Sequence, residues 1–231
     1  MRFRSKSFSS GTNTGRTTER LVMSEEERTI IKAAYLTQLS HGPFLENEFV
    51  GKSKADALIR LVNARLLEEK QTGRERRYSL TETGRNLISV VLAGGVYDVL
   101  HVGHLAALTE AKKLGDVLVV VVATDTTVET LKERKPLFPE EDRRALVEGL
   151  KPVDIAILGY EDVGFGFEQI LSEVRPDIVA FGYDQEKLEK IVAEIIQRHN
   201  LKIRMTKLPR FERERYVSSS LLRQRLSEEL S

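Results

Sequence analysis

Ile88-Ser89-Val90-Val91-Leu92-Ala93-Gly94-Gly95 leads through Val96-Tyr97-Asp98-Val99-Leu100 into His101-Val102-Gly103-His104. An almost unbroken apolar run ends on two glycines, and a helical pattern begins at the histidines. Glycines allow a phosphate to approach the backbone, and a helix N-terminus offers unpaired N–H groups with a favourable dipole. Two histidines three residues apart on a first turn face the same way. They are therefore candidates to donate hydrogen bonds to phosphate oxygens whose charge grows in a transition state. The spacing matches neither a Walker A loop nor GxGxxG.

Downstream, short apolar runs alternate with amphipathic segments. Ile88 to Ala93, Val117 to Ala123, Ile155 to Leu158, Ile178 to Phe181 and Lys202 to Met205 are expected as strands. Apolar strands separated by helices predict an α/β domain with a doubly wound parallel sheet over residues 90–231, covered on both faces. In such a sheet ligands lie at the C-terminal strand ends.

Upstream, residues 1–20 are rich in Ser, Thr, Gly and Arg, carry five basic side chains against one acidic, and show no periodicity; they are expected as a disordered basic tail. Residues 21–89 read as a small α+β domain. Ser24-Glu25-Glu26-Glu27 is a capping box opening a helix to about Leu39. A short apolar helix is expected after His41-Gly42-Pro43, and a further helix over Ser53 to Ala64, with Ala55, Leu58, Ile59 and Val62 on its apolar face. Leu66 to Gln71 and Arg76 to Leu80 flank Thr72-Gly73-Arg74-Glu75 as a hairpin, and Thr81-Glu82-Thr83-Gly84 starts a last helix. This order resembles a winged helix, and the run from Leu66 to Gly84 resembles the wing of MarR-like regulators. The resemblance implies DNA as a partner, with Lys54 and Arg60 on the reading helix and Arg74, Arg76 and Arg77 on the wing; a packing or regulatory module is the alternative.

The chain has 231 residues, 41% of them hydrophobic, enough for a core in each domain. Without cysteine it has no disulfides or thiolate-held metals. The longest apolar run is far shorter than the roughly 20 residues of a spanning helix, and no signal-peptide core is seen, so no membrane partner and a cytoplasmic location are expected. Residues 21–89 carry eleven basic and ten acidic side chains, and residues 90–231 carry twenty and twenty-four. That balance does not concentrate positive charge on a nucleic-acid-binding domain.

The blocks Gly95, Tyr97, Asp98, His101, Gly103 and His104 resemble the HxGH nucleotidyltransferases, a superfamily that includes cytidylyltransferases and archaeal FAD synthases. The resemblance implies a Rossmann-like fold, His101 and His104 with Lys135 as catalytic residues, and nucleotide contacts from Gly94, Gly95, Tyr97, Asp98 and Gly103. Lys132-Glu133-Arg134-Lys135-Pro136 corresponds to a phosphate-binding loop, which puts Arg134 on phosphate, and Glu140-Glu141-Asp142-Arg143-Arg144 brings Arg143 to substrate. Phe181-Gly182-Tyr183-Asp184-Gln185 places Asp184 at the nucleotide, although Asp184 as a helix cap is the alternative. Ser218-Ser219-Ser220 resembles a triphosphate-anchoring block, so Ser218 and Ser219 are expected there, with Arg213 upstream. Arg210-Phe211-Glu212-Arg213-Glu214-Arg215-Tyr216 departs from the usual Arg-Thr-x-Gly. No resident metal site is signposted.

Ala123-Thr124-Asp125-Thr126-Thr127-Val128, Lys135-Pro136, Val147 to Asp154 and Gly182-Tyr183-Asp184-Gln185 look most like archaeal FAD synthases. They imply ATP and FMN as substrates, Mg²⁺ with the ATP, and direct attack of the FMN phosphate on the α-phosphate. Homo-oligomer formation is also expected. A glycerol-3-phosphate cytidylyltransferase shares most blocks but usually has an aromatic residue where Gln185 stands. A transcription regulator using the second domain as a ligand sensor is a different class of reading, which the retained histidines disfavour. A class I aminoacyl-tRNA synthetase would need a KMSKS-like block, and none is evident.

Overall fold

The computed structural model describes residues 23–40, 44–45 and 52–210. The basic tail, Arg213, Ser218 and Ser219 lie outside them. Ser24 opens α1 (Glu25–Ser40): its hydroxyl accepts from the Glu27 N–H at 3.2 Å, and the Glu27 carboxylate accepts from the Ser24 N–H at 2.9 Å. There follow β1 (Phe44–Leu45), α2 (Lys52–Asn63), β2 (Leu67–Thr72), β3 (Glu75–Leu80) and the single turn α3 (Glu82–Arg85). The three strands form an antiparallel sheet in the order β1-β3-β2. Gly73, with φ +63°, takes the first position of the two-residue β2–β3 turn, where positive φ suits glycine.

Two local expectations are corrected. Phe44 and Leu45 form a strand against Tyr78 and Arg77, not the start of a helix, because the free edge of β3 supplies backbone partners that the apolar pattern alone does not reveal. In α2 the buried residues are Ala57, Leu58 and Leu61, and Ile59 is 57% exposed. The helix packs against both α1 and β2, which rotates its inward face away from Ile59.

The second part runs β4 (Val90–Gly95), α4 (Val102–Lys112), β5 (Val117–Val122), α5 (Asp125–Lys132), α6 (Glu140–Glu148), β6 (Ile155–Leu158), α7 (Val163–Val174), β7 (Ile178–Phe181), α8 (Glu186–Arg198) and β8 (Arg204–Lys207). The five strands are parallel in the order β6-β5-β4-β7-β8. Alternation along the strands divides the core. Val90, Leu92, Val117, Val119, Val121, Val179 and Phe181 pack with α7 and α8 through Ile170, Leu171, Val174, Val192 and Ile195. Val91, Ala93, Leu118, Val120, Val122, Ile178 and Ala180 pack with α4 and α6 through Leu108, Ala111 and Val147. Both faces are thus covered, which is why β5, β6 and β7 are apolar at every position, whereas the edge strand β8 carries Arg204 and Lys207. The order reverses between β4 and β7, so the ligand crevice of this topology falls at their carboxyl ends.

The N-terminal part is docked on the opposite, amino end of this sheet. Asp116, just before β5, accepts from the Ser89 N–H at 2.9 Å and pairs with Arg28 at 3.2 Å. Asp177, just before β7, accepts from the Val90 N–H at 2.7 Å and pairs with the buried Arg85 at 3.1 Å. The Tyr35 hydroxyl donates to the Val174 carbonyl at 2.7 Å. Ile30, Ile31, Leu61 and Leu66 belong to the same apolar cluster as Val90 and Val174. The two parts therefore share one core.

Candidate active site

Gly94 and Gly95 are the last residues of β4, still paired with Val121 and Val122. A Cβ on Gly95 would lie 2.9 Å from the Tyr97 ring. This glycine makes room for the Tyr97 side chain. Tyr97 turns the chain with φ +54° and is buried, its ring edge-on to His104 at 5.3 Å between centroids. Burial raises its hydroxyl pKa well above the ordinary range. It is a support beneath the histidine, and its ring is not a surface open to a nucleotide.

His101 is the N-cap of α4. Its Nδ1 accepts from the Gly103 N–H at 3.1 Å, which places the proton of the neutral ring on Nε2 and leaves that nitrogen as a donor. Gly103 is required for this arrangement, since a Cβ there would lie 2.9 Å from the His101 ring. The His104 ring lies 4.0 Å from that of His101, and its Nδ1 is buried without a hydrogen-bond partner among the described residues. Burial lowers the pKa of both rings; burial first and the neighbouring His101 second bring His104 to about 4. At neutral pH the pair is uncharged, and an arriving anion would draw protons toward it.

The loop after α5 is hung from this segment by charge. Asp98, 3% exposed, accepts from the Leu137 N–H at 2.6 Å, the Phe138 N–H at 3.4 Å and the Arg134 guanidinium at 3.0 Å. Arg143, fully buried, donates to the Phe138 carbonyl at 2.9 Å, the Val96 carbonyl at 2.6 Å and the Asp125 carboxylate at 2.6 Å. Resemblance put Asp98 at the nucleotide and Arg143 at the substrate; in the structure their polar atoms join the histidine loop to the basic loop. Arg134 is half-buried on Asp98, and Lys135 is exposed on the loop so fixed. Thr124, quoted from the sequence only within a resembling block, caps α5 by accepting from the Thr127 N–H at 3.2 Å, a role not read there, and the Thr127 hydroxyl donates to the Tyr160 carbonyl at 3.1 Å. Its only signal is a Thr directly before a helical segment.

At the switch point, the Gln185 side-chain amide accepts from the Gly182 N–H at 2.7 Å and donates to the Gly94 carbonyl at 2.8 Å. It laces the carboxyl ends of β7 and β4 together over a cavity of about 10 Å³ lined by Ala93, Gly94, Phe181 and Leu188. Asp184 is exposed, and the cap of α8 is Gln185 with no side-chain cap bond, so the capping alternative for Asp184 is not what the structure shows. Tyr183, beside it, carries the Arg210 guanidinium 5.0 Å over its ring.

The basic side chains named in the N-terminal part lie at the far end of the sheet. Arg60 is paired with Glu27 at 2.7 Å, and Arg77 with Glu75 at 3.4 Å. Among the described residues no three His, Asp or Glu side chains gather as a metal ion would need, and no helix there is long and apolar enough to cross a membrane.

A family model described as cytidylyltransferase-like matches residues 92–225, more than half of the chain. The FAD synthase of Aciduliprofundum boonei is 48% identical over 52% of this chain and 78% of its own. That of Thermococcus onnurineus is 41% identical over 60% of this chain and 91% of its own. In structure, the chain is similar to a lipopolysaccharide core biosynthesis protein from Thermoplasma volcanium, with a TM-score of 0.50, 40% identity, and coverage of 54% of this chain and 99% of that one.

Proposed function

The chain belongs to the cytidylyltransferase-like family, and from that premise we propose that it is an FMN adenylyltransferase, joining FMN and ATP to give FAD and pyrophosphate. The observation that carries the reading is its 41–48% identity to FAD synthases over more than half of the chain, together with the family match over residues 92–225. The FMN phosphate attacks the α-phosphate of ATP directly, the P–O bond to pyrophosphate breaks, and no covalent enzyme intermediate forms. Such chemistry asks the protein mainly for positioning and charge neutralisation.

His101 offers its Nε2 proton to a phosphate oxygen, oriented by the Gly103 N–H behind it. His104, held between His101 and Tyr97, is the second donor. Lys135, on the loop fixed by Asp98 and Arg143, neutralises phosphate charge. Arg134 shares its charge between Asp98 and that loop. Asp184 contacts the nucleotide from the end of β7, and Ser218, Ser219 and Arg213 are assigned to the triphosphate by resemblance alone. Mg²⁺ enters with ATP as part of the substrate. The described residues gather no carboxylate cage for it, and this ion binds readily through phosphates and water.

The described order α1, β1, α2, β2, β3, α3, with its antiparallel hairpin, supports a winged-helix-like module over residues 21–89. Arg60 is committed to Glu27 and the module shares a core with the sheet, which supports a packing role over base reading. The test is chromatographic product analysis with ATP or CTP offered against FMN or glycerol 3-phosphate. FAD from ATP and FMN alone is the expected product. CDP-glycerol without FAD would keep nucleotidyl transfer and overturn the flavin assignment.

A further inference from the structure

Leu137 and Phe138 are apolar and adjacent, and they are exposed by 56% and 46%. Exposed apolar side chains are ordinary when they stand singly or on loose loops. These two stand on a backbone that is held from beneath by buried charge. Both of their N–H groups are donated to Asp98, which is itself 3% exposed, and the Phe138 carbonyl accepts from the fully buried Arg143. The same two charged side chains belong to the histidine loop or donate to it: Asp98 lies three residues before His101, and Arg143 donates to the Val96 carbonyl. The fold thus spends a buried carboxylate and a buried guanidinium on presenting a fixed apolar pair at the rim of the site. Surfaces so pre-organised beside a reacting centre are those that orient a ligand.

Charge narrows the occupant. Arg134 and the exposed Lys135 stand just ahead of the pair, separated from it by Pro136, so the surface suits a molecule with a phosphate at one end and a flat, largely apolar body at the other. Resting on the FMN reading above, we propose that Leu137 and Phe138 are the seat of the acceptor's flavin ring, and that they set acceptor specificity. An apolar ring stacked on Phe138 leaves the phosphate directed toward Lys135 and the histidines. A small phospho-alcohol has no ring to place there and gains nothing from the pair.

The test compares wild type with Phe138→Ala, Leu137→Ala and the conservative Phe138→Leu. FMN binding is read by flavin fluorescence, KM is measured separately for FMN and ATP, and circular dichroism and sedimentation are recorded for each protein. Phe138→Ala is expected to weaken FMN binding and raise the KM for FMN by at least about tenfold, the loss of one stacked and buried ring. The KM for ATP should stay within about twofold, and Phe138→Leu should recover most of the loss. FMN binding unchanged in both alanine variants overturns the proposal. So does a change in the KM for ATP alone, which would give the pair to the adenine ring, or a loss that tracks dissociation of an oligomer, which would make it a subunit contact. Failure of the wild type to form FAD while still binding FMN in a Phe138-dependent way sinks the transferase reading and leaves the seat standing. Failure to bind FMN at all sinks both.

Discussion

His104 is the more buried of two stacked imidazoles, with one nitrogen left without a partner, and its removal tests whether the pair serves transition-state charge. His104→Ala is expected to lower turnover by roughly 10² to 10³, the usual cost of one such donor, with the circular-dichroism spectrum unchanged. Turnover within threefold of wild type would contradict the role. Burial also makes His104 a pH-dependent element of stability. Its folded pKa of about 4 lies below the ordinary 6.5 of the unfolded chain, so below that value the unfolded state binds the extra proton. The contribution is complete above about pH 6.5, declines as pH falls, and is lost by about pH 4. Urea midpoints measured across that window should fall more steeply in wild type than in His104→Asn, and equal slopes would refute the sign. The histidines were legible because their spacing is local. Asp98 and Arg143 were singled out by resemblance, but their partners were not legible, since these lie up to 47 residues away and the charged run by itself does not tell Arg143, which turns inward, from Arg144, which pairs with Glu141 and Glu148.

Between elements, the buried guanidinium of Arg143 joins the β4–α4 loop, the start of α5 and the approach to α6. Arg143→Met removes the guanidinium donor to the Val96 and Phe138 carbonyls, at a cost of about 1–3 kcal/mol for each buried carbonyl left unsatisfied, and breaks the pair with the part-exposed Asp125. Arg144→Ala, one residue on, removes surface pairs and should cost under about 1 kcal/mol. Chemical denaturation of the two variants checks the contrast; equal losses would show that Arg143 organises nothing. The four strands β4 to β7 could be read from the sequence because burial on both faces leaves apolar runs, whereas the edge strand β8, expected over Lys202 to Met205, lies at Arg204–Lys207. The face of α2 and the strand at Phe44–Leu45 could not, because each depends on a neighbour distant in sequence: β2 beside α1, and the open edge of β3.

Across the whole molecule, the N-terminal part and the parallel sheet unfold together if their shared core is real. Arg85 donates to the Ile88 and Arg175 carbonyls and to Asp177, and Tyr35 donates to Val174, all at the amino end of the sheet. Arg85→Ala should therefore shift a single calorimetric transition downward as one unit; two transitions, only one of them moving, would show independent domains. The docking places the N-terminal part opposite the carboxyl ends of β4 and β7, so it supports the sheet and leaves the crevice open.

Attack on the α-phosphorus of ATP is tested by offering FMN with ATP labelled in the α-phosphate and, separately, in the γ-phosphate. The α label is expected in FAD and the γ label in pyrophosphate, in equal amounts. A γ label transferred to flavin, or α label found only in ADP or AMP with no labelled FAD, would contradict it.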